Sequence, residues 1–211
     1  MTNFIPIFPL SIVVYPGEAL NLHIFEPRYK ELIQDCRQSG KMFGIPAVVN
    51  NNMQDMGTLM SITEITKEYD NGEMDIKTRG IKVFRMLELV KTLPDKLYSG
   101  AIVHYPDNNE SPAVALMPPL LAAIRQLHQL LKITKDFAKP DDELCSYDVA
   151  HHAGLTAEEE YELLGLLQEA QRVEYLKRHI LKVLPLVAGL EGLKERIQMN
   201  GHFKNLGGFN L

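Results

Sequence analysis

The chain has 211 residues, enough to bury a substantial core in one domain or two small ones, and its formal net charge of −5 is spread along the sequence rather than gathered in blocks. That balance argues against a dedicated nucleic-acid binder, which carries a basic face. No basic-then-apolar signal segment opens the chain, no apolar run reaches membrane-spanning length, and Cys36 and Cys145 lack metal-ligand spacing, so a soluble cytoplasmic protein with buried free thiols is expected.

Residues 8–33, FPLSIVVYPGEALNLHIFEPRYKELI, read as strand, turn, strand and helix. Pro16-Gly17 is a turn dipeptide, with proline presetting φ and glycine accepting a positive one. Leu20, Leu22 and Ile24 alternate with Asn21 and His23, which gives a strand one apolar face. Pro27 suits a first helical turn, Glu26 suits the positive end of the helix dipole, and Tyr29, Leu32, Ile33 and Cys36 recur at helical spacing up to Gly40.

β signals continue to about residue 111. Met42–Val49 is a short apolar strand closed by Asn50-Asn51-Asn52, and 57–69 alternates through Leu59, Ser61, Thr63 and Ile65. Asp70-Asn71-Gly72 marks a hairpin, returned by 74–78. Ile81, Val83 and Arg85 oppose Lys82, Phe84 and Met86 along 81–89, and Gly80 before them predicts a bulge or a close backbone approach. The last strand, 98–105, ends at Pro106-Asp107-Asn108-Asn109.

Beyond 111 the apolar period becomes 3.6. Leu120, Ile124, Leu127 and Leu131 form a stripe behind Pro118-Pro119, and a second helix opens at Asp141-Asp142-Glu143 and stops at Gly154. Thr156-Ala157-Glu158-Glu159 is a capping box, followed by Tyr161, Leu164 and Leu167. Val173, Leu176, Ile180 and Val183 extend the stripe, Glu174 can pair with Arg178, and Pro185 ends or kinks the helix. The pattern divides the chain into a β-rich module at 1–111, a helical bundle at 112–187 and a tail at 188–211 with a short helix and an irregular terminus.

The front stretch resembles the opening of the amino-terminal, substrate-binding domain of Lon proteases. Its Phe8-Pro9-Leu10 run, Tyr15-Pro16-Gly17 turn, Leu20-Asn21-Leu22-His23-Ile24-Phe25 strand and Glu26-Pro27-Arg28-Tyr29 helix start follow one another at that family's spacing. TAEEEYELLGLLQEAQRVEYLKRHILKVL resembles the family's helix pair, with Gln168 where the family often has an Asp N-cap. Gln is a poor N-cap and a good helix former, so a weak or absent break is expected there. The resemblance covers roughly 4–187 and implies an α+β fold, a PUA-like pseudo-barrel followed by a helical bundle. It implies noncatalytic recognition of unfolded or damaged polypeptide, in protein quality control or as a proteolysis adaptor with a protease partner. An RNA-binding or small-molecule-binding role for such a fold stands as the alternative.

The residues themselves offer little chemistry. The phosphate loop of an ATPase, ending in Gly-Lys-Ser/Thr, does not occur, and no serine has the context of an activated nucleophile. Neither ATPase nor peptidase activity, and no cofactor or metal, is therefore expected. His151 and His152 point about 100° apart on a helix and do not readily share an ion. Candidates for a peptide-binding surface are Ile12, Val14, Tyr15, Phe43, Met56, Met60, Arg79 and Phe84, each of which has a plain core reading as well. Glu26 and Arg28 are the candidates for an internal structural ion pair, and Arg85 or Glu64 fit similar pairs.

Overall fold

The structure, a computed structural model, describes residues 3–203, with side chains through residue 193. Six strands, β1 (Asn3–Pro6), β2 (Ala19–Ile24), β3 (Phe43–Val49), β4 (Asn52–Glu68), β5 (Met74–Val90) and β6 (Gly100–His104), form one antiparallel sheet. Its order is β1-β6-β5-β4-β3, and β2 pairs with the first part of β5. Helix α1 (Pro27–Ser39) lies between β2 and β3. Four helices follow: α2 (Met117–Leu131), α3 (Ser146–Val149, prolonged by a 3-10 turn at Ala150–His152), α4 (Ala157–Gly165) and α5 (Glu169–Phe203).

The sheet closes on itself. After β1 the chain crosses to β3, with parallel bridges at Ile7–Gly44 and Leu10–Ala47 and with Phe8 N–H donating to the Gly44 carbonyl at 2.8 Å. The result is an α+β pseudo-barrel with helices in the carboxy-terminal part. Ile5, Ile7, Leu59, Phe84, Ala101 and Val103 form one apolar cluster within it. A second cluster joins α1 to β2, β4 and β5 through Tyr29, Leu32, Ile33, Ile24, Met60, Met74 and Ile76.

The third and largest cluster spans the division near residue 111. Val13, Tyr15, Val49, Met56 and Val83 pack with Leu120, Ile124, Leu144, Leu163 and Leu176. The two parts of the chain thus share one core while differing in secondary structure. Polar contacts cross the same boundary. The Tyr15 hydroxyl donates to the Glu160 carbonyl at 3.1 Å, and the Tyr161 hydroxyl to Asp55 at 2.5 Å. His151 bridges Glu18 at 3.2 Å and Glu160 at 2.7 Å. Burial works against its charge, but hydrogen bonds to Glu160 and Glu18 prevail and raise its pKa to about 9.

β5 is one continuous strand rather than two. Its register shifts where Leu59 faces Lys82 and Met60 faces Gly80, which leaves Ile81 as an extra residue, 41% exposed. Gly80 also makes the close approach: Gly17 N–H donates to the Gly80 carbonyl at 2.9 Å, and Gly80 N–H donates to Glu18 at 2.8 Å. After the bulge, Val83 and Phe84 are both buried, one in the helix-facing cluster and one in the barrel cluster.

The helical part departs from its sequence pattern in three places. The second predicted helix is reduced to α3 and its 3-10 turn, with residues 141–143 in a turn and Gly154 at φ 74° after it. The helix pair does break at Gln168, since α4 ends at Gly165 and α5 begins at Glu169. A buried network holds the break. Arg172, with no exposed surface, donates to Ser146 at 2.8 Å, Asn108 at 2.9 Å, the Leu166 carbonyl at 2.7 Å, Glu169 at 2.8 Å and the Asn109 carbonyl. Glu169 in turn accepts from the Ser146 N–H and hydroxyl at 2.7 and 2.6 Å. These tertiary hydrogen bonds tie the break to Ser146 and to residues 108–109, a role distinct from capping the first N–H groups of α5. Finally, α5 runs through Pro185 without ending and occupies much of the predicted tail. The predicted tail is 188–211, and its residues 204–211, where the irregular terminus would fall, lie outside the described residues.

Candidate functional site

The site is built around the end of α1. Pro27 starts the helix and Gly40, in the left-handed conformation at φ 66°, stops it. Tyr29, Leu32, Ile33 and Cys36 bind its inner face to the β2–β5–β4 arm, where Leu20, Leu22, Ile62 and Ile65 complete the contact. The helix end is therefore held rigidly above the sheet, and a groove opens on each side of the turn at 40–42.

One lobe, about 400 Å³, lies between the helix end and β4 and is lined by Arg37, Met42, Ile62, Ile65 and Glu68. The other, about 390 Å³, lies toward β1 and is lined by Phe4, Pro6, Asp35, Lys96 and Tyr98. Cys36 and Lys41 border both. Phe4, 53% exposed, and Met42, 40% exposed, give each lobe an accessible apolar wall.

The ionic groups of the groove are mostly paired. Arg37 meets Glu68 at 2.6 Å, and Asp35 meets Lys96 at 2.5 Å and accepts from the Tyr98 hydroxyl at 2.6 Å. Those bonds from Lys96 and Tyr98 hold the Asp35 carboxyl below its usual range. Lys41 has no ion pair among the described residues. Burial, reinforced by the Asp35 charge, pushes the Cys36 thiol up to about 12, so it is protonated and unreactive at neutral pH. This arrangement can bind apolar side chains beside a cation. It has no activated nucleophile and no general base held against one.

The residues proposed from sequence as a peptide surface do not assemble into one. Val14, Tyr15, Phe43, Met56, Met60 and Phe84 are at most 2% exposed, because the closed sheet buries side chains inside while helices cover part of its outside. Ile12 and Arg79 are exposed, and neither borders the groove. Phe4, Met42 and Lys41 were missed. For Phe4 and Met42 the signal is modest, a large apolar residue at or just before a strand start, where β pattern alone predicts burial, and Lys41 carries none.

Glu26 and Arg28 pair at 2.7 Å, but with side chains 38% and 52% exposed the pair is at the surface rather than internal. Glu64 pairs with Lys77 at 2.8 Å, and Arg85 approaches Asp55 at 3.5 Å, both also exposed. Arg28→Ala therefore strands no buried charge. Urea denaturation is expected to show a loss below about 1 kcal/mol, part of it from the guanidinium over the Tyr29 ring at 4.5 Å. A loss of several kcal/mol would contradict the exposed geometry.

Among the described residues no group of three or more His, Cys, Asp or Glu side chains could hold a metal ion, and no helix is long and apolar enough to cross a membrane. Residues 5–182 match a protein-family model described as the ATP-dependent protease La (LON) substrate-binding domain. The fold is similar to that of a Lon N-terminal domain protein from Xanthomonas campestris, at 23% identity and TM-score 0.63 over 83% of this chain and 98% of that one. It is also similar to the N-terminal domain of Mycobacterium avium complex Lon protease, at 13% identity and TM-score 0.58 over 84% of this chain and 98% of that one.

Proposed function

Because the chain belongs to the Lon substrate-binding domain family, we propose that it is a noncatalytic binder of unfolded or damaged polypeptide, and that the groove around the end of α1 receives the side chains of such segments. The observation that carries this reading is the pair of lobes walled by exposed Phe4 and Met42 on a rigidly packed helix end. Unfolded chains present the aliphatic and aromatic groups that folded ones hide, and a lobe of this size admits one of them. Methionine suits such a surface because it repacks around differently shaped partners. The unreactive Cys36 and the paired charges support binding without covalent chemistry. We place this binding in quality control, as an adaptor that hands bound chains to a protease, on the support of the family description alone, that of a protease's substrate-binding domain.

Fluorescence anisotropy with a labelled, permanently unfolded model protein tests the proposal. Binding through apolar contacts is expected to persist from low salt to about 1 M, where exposed charges are screened beyond roughly 3 Å. Bound chains should remain intact, with no ATP hydrolysis and no casein cleavage by the purified chain. Binding of structured RNA that weakens steeply with salt, with no polypeptide binding, would replace this reading with the nucleic-acid one.

A further inference from the structure

The β2–β5–β4 arm has two free edges, and they are built differently. At its outer end β4 pairs with β5 alone, since β3 covers only Asn52–Met60. This edge is guarded. Register shifts leave Thr63 and Thr66 as extra residues, each donating its hydroxyl to a β5 carbonyl at 3.0 Å, and Glu64, Lys67 and Glu68 add charge. Bulges and charges on an edge strand are the usual protection against pairing with another chain.

The β2 edge has none of this protection. Ala19–Ile24 pairs with β5 residue for residue, from Ala19–Arg79 to Ile24–Met74, with no register shift. ALNLHI contains no proline, aspartate, glutamate, lysine or arginine. Among the described residues no other strand joins β2, and no backbone bond from outside the sheet reaches 19–24. Leu20, Leu22 and Ile24 use their N–H and C=O groups on β5, while Ala19, Asn21 and His23 turn theirs to the open edge, where no backbone partner meets them among the described residues. Leu20, Leu22 and Ile24 face the α1 cluster, and Asn21 and His23 are exposed on the other side. Both ends are fixed, by the Gly17–Gly80 and Glu18–Gly80 hydrogen bonds before the strand and by Pro27 at the start of α1 after it.

We infer that the β2 edge accepts an extended segment of the bound polypeptide as an added strand. Its main chain pairs with Ala19–Ile24, and its alternate apolar side chains continue the Leu20–Leu22–Ile24 face. The contrast between the two edges carries the inference: the strand that should not pair is bulged and charged, and this one is neither. Taking the partner to be polypeptide rests on the proposed function, but main-chain pairing at β2 is separate from side-chain capture at α1. Main-chain recognition is indifferent to side-chain identity, which fits a binder of many sequences.

The test uses the full chain and a Val/Thr-alternating decapeptide, with two analogues N-methylated on one or the other set of alternate residues. In an added strand, alternate amides face β2, so one analogue should bind roughly tenfold or more weaker than the parent, and the other nearly as well. Hydrogen exchange should slow over 19–24 and stay unchanged over 61–68 when the parent peptide is bound. Equal effects of the two analogues, protection absent from 19–24, or pairing of β2 with a second copy instead of peptide would overturn the inference. Met42→Asp separates the two readings. It should reduce capture of the unfolded model protein while leaving the exchange protection at 19–24 in place. If the variant binds the unfolded protein unchanged, the groove reading fails and the strand inference stands on its own result.

Discussion

Arg172→Ala is expected to lower the free energy of unfolding by about 4 kcal/mol, a large share of the roughly 5–15 kcal/mol that holds a domain of ordinary stability. Arg172 and Glu169 are 0% and 3% exposed and pair at 2.8 Å. Removing the guanidinium leaves the Glu169 carboxylate buried with only Ser146 to bond it, and orphans the Leu166 and Asn109 carbonyls as well. It also removes the cation stacked 4.1 Å from the Tyr147 ring, which itself lies against Tyr15 of the β part. Arg172→Met combined with Glu169→Gln should be less damaging than Arg172→Ala alone, because no charge is stranded. Guanidinium denaturation of the three proteins checks this. A loss under about 1 kcal/mol in the single variant would mean that the network is not the clasp of the α4–α5 break.

Gly80→Ala is expected to cost about 3 kcal/mol. A Cβ at residue 80 would lie 2.3 Å from the Tyr15 carbonyl oxygen and 3.1 Å from Thr58 Cγ2. The first of these is a backbone atom of a fully buried residue and cannot swing aside. Relief requires the Tyr15-Pro16-Gly17 turn to move off β5, which breaks the hydrogen bonds that Gly80 makes with Gly17 and Glu18. The same shift disturbs the Thr58 hydroxyl bonded to the Val14 carbonyl at 2.5 Å, and the start of β2. Thermal melts of Gly80→Ala and of Gly165→Ala, whose Cβ would meet nothing within 4 Å, make the comparison. Equal melting temperatures would refute the close approach.

Those two residues mark what was legible in the sequence and what was not. Gly80 announced itself, since a glycine amid β-forming residues has few reasons to be there. The same holds for Gly72, with its φ of 76° in the β4–β5 turn, and for Thr156, whose hydroxyl and Glu159 carboxylate close the capping box at 3.3 and 2.9 Å. Each of these signals is local, set by backbone geometry within a few residues. Arg172 gave no such signal, because its partners come from 108–109, 146 and 166–169 and meet only in the fold. Gln168 misled for the same reason: local propensity favoured a continuous helix, and distant hydrogen bonds broke it.

The candidate site failed on coverage rather than on periodicity. Alternation places Met60 and Phe84 on one face of a strand, but a closed sheet has an inside and a partly covered outside, and no period of two states which surface is left open. Phe4, in the edge strand β1, and Met42, in the turn between α1 and β3, are exposed because neither is covered by a helix or by the closed sheet. The groove arises from the meeting of 4–6, 35–42, 61–68 and 96–98.

Methyl NMR of the methionines during titration with an unfolded model protein shows whether the groove at the end of α1 is where such chains bind. The Met42 methyl resonance should shift progressively and saturate with binding, while those of Met56, Met60 and Met74, each at most 3% exposed, should stay in place. Saturable binding that leaves Met42 unmoved, or no binding at all, would contradict binding at that groove.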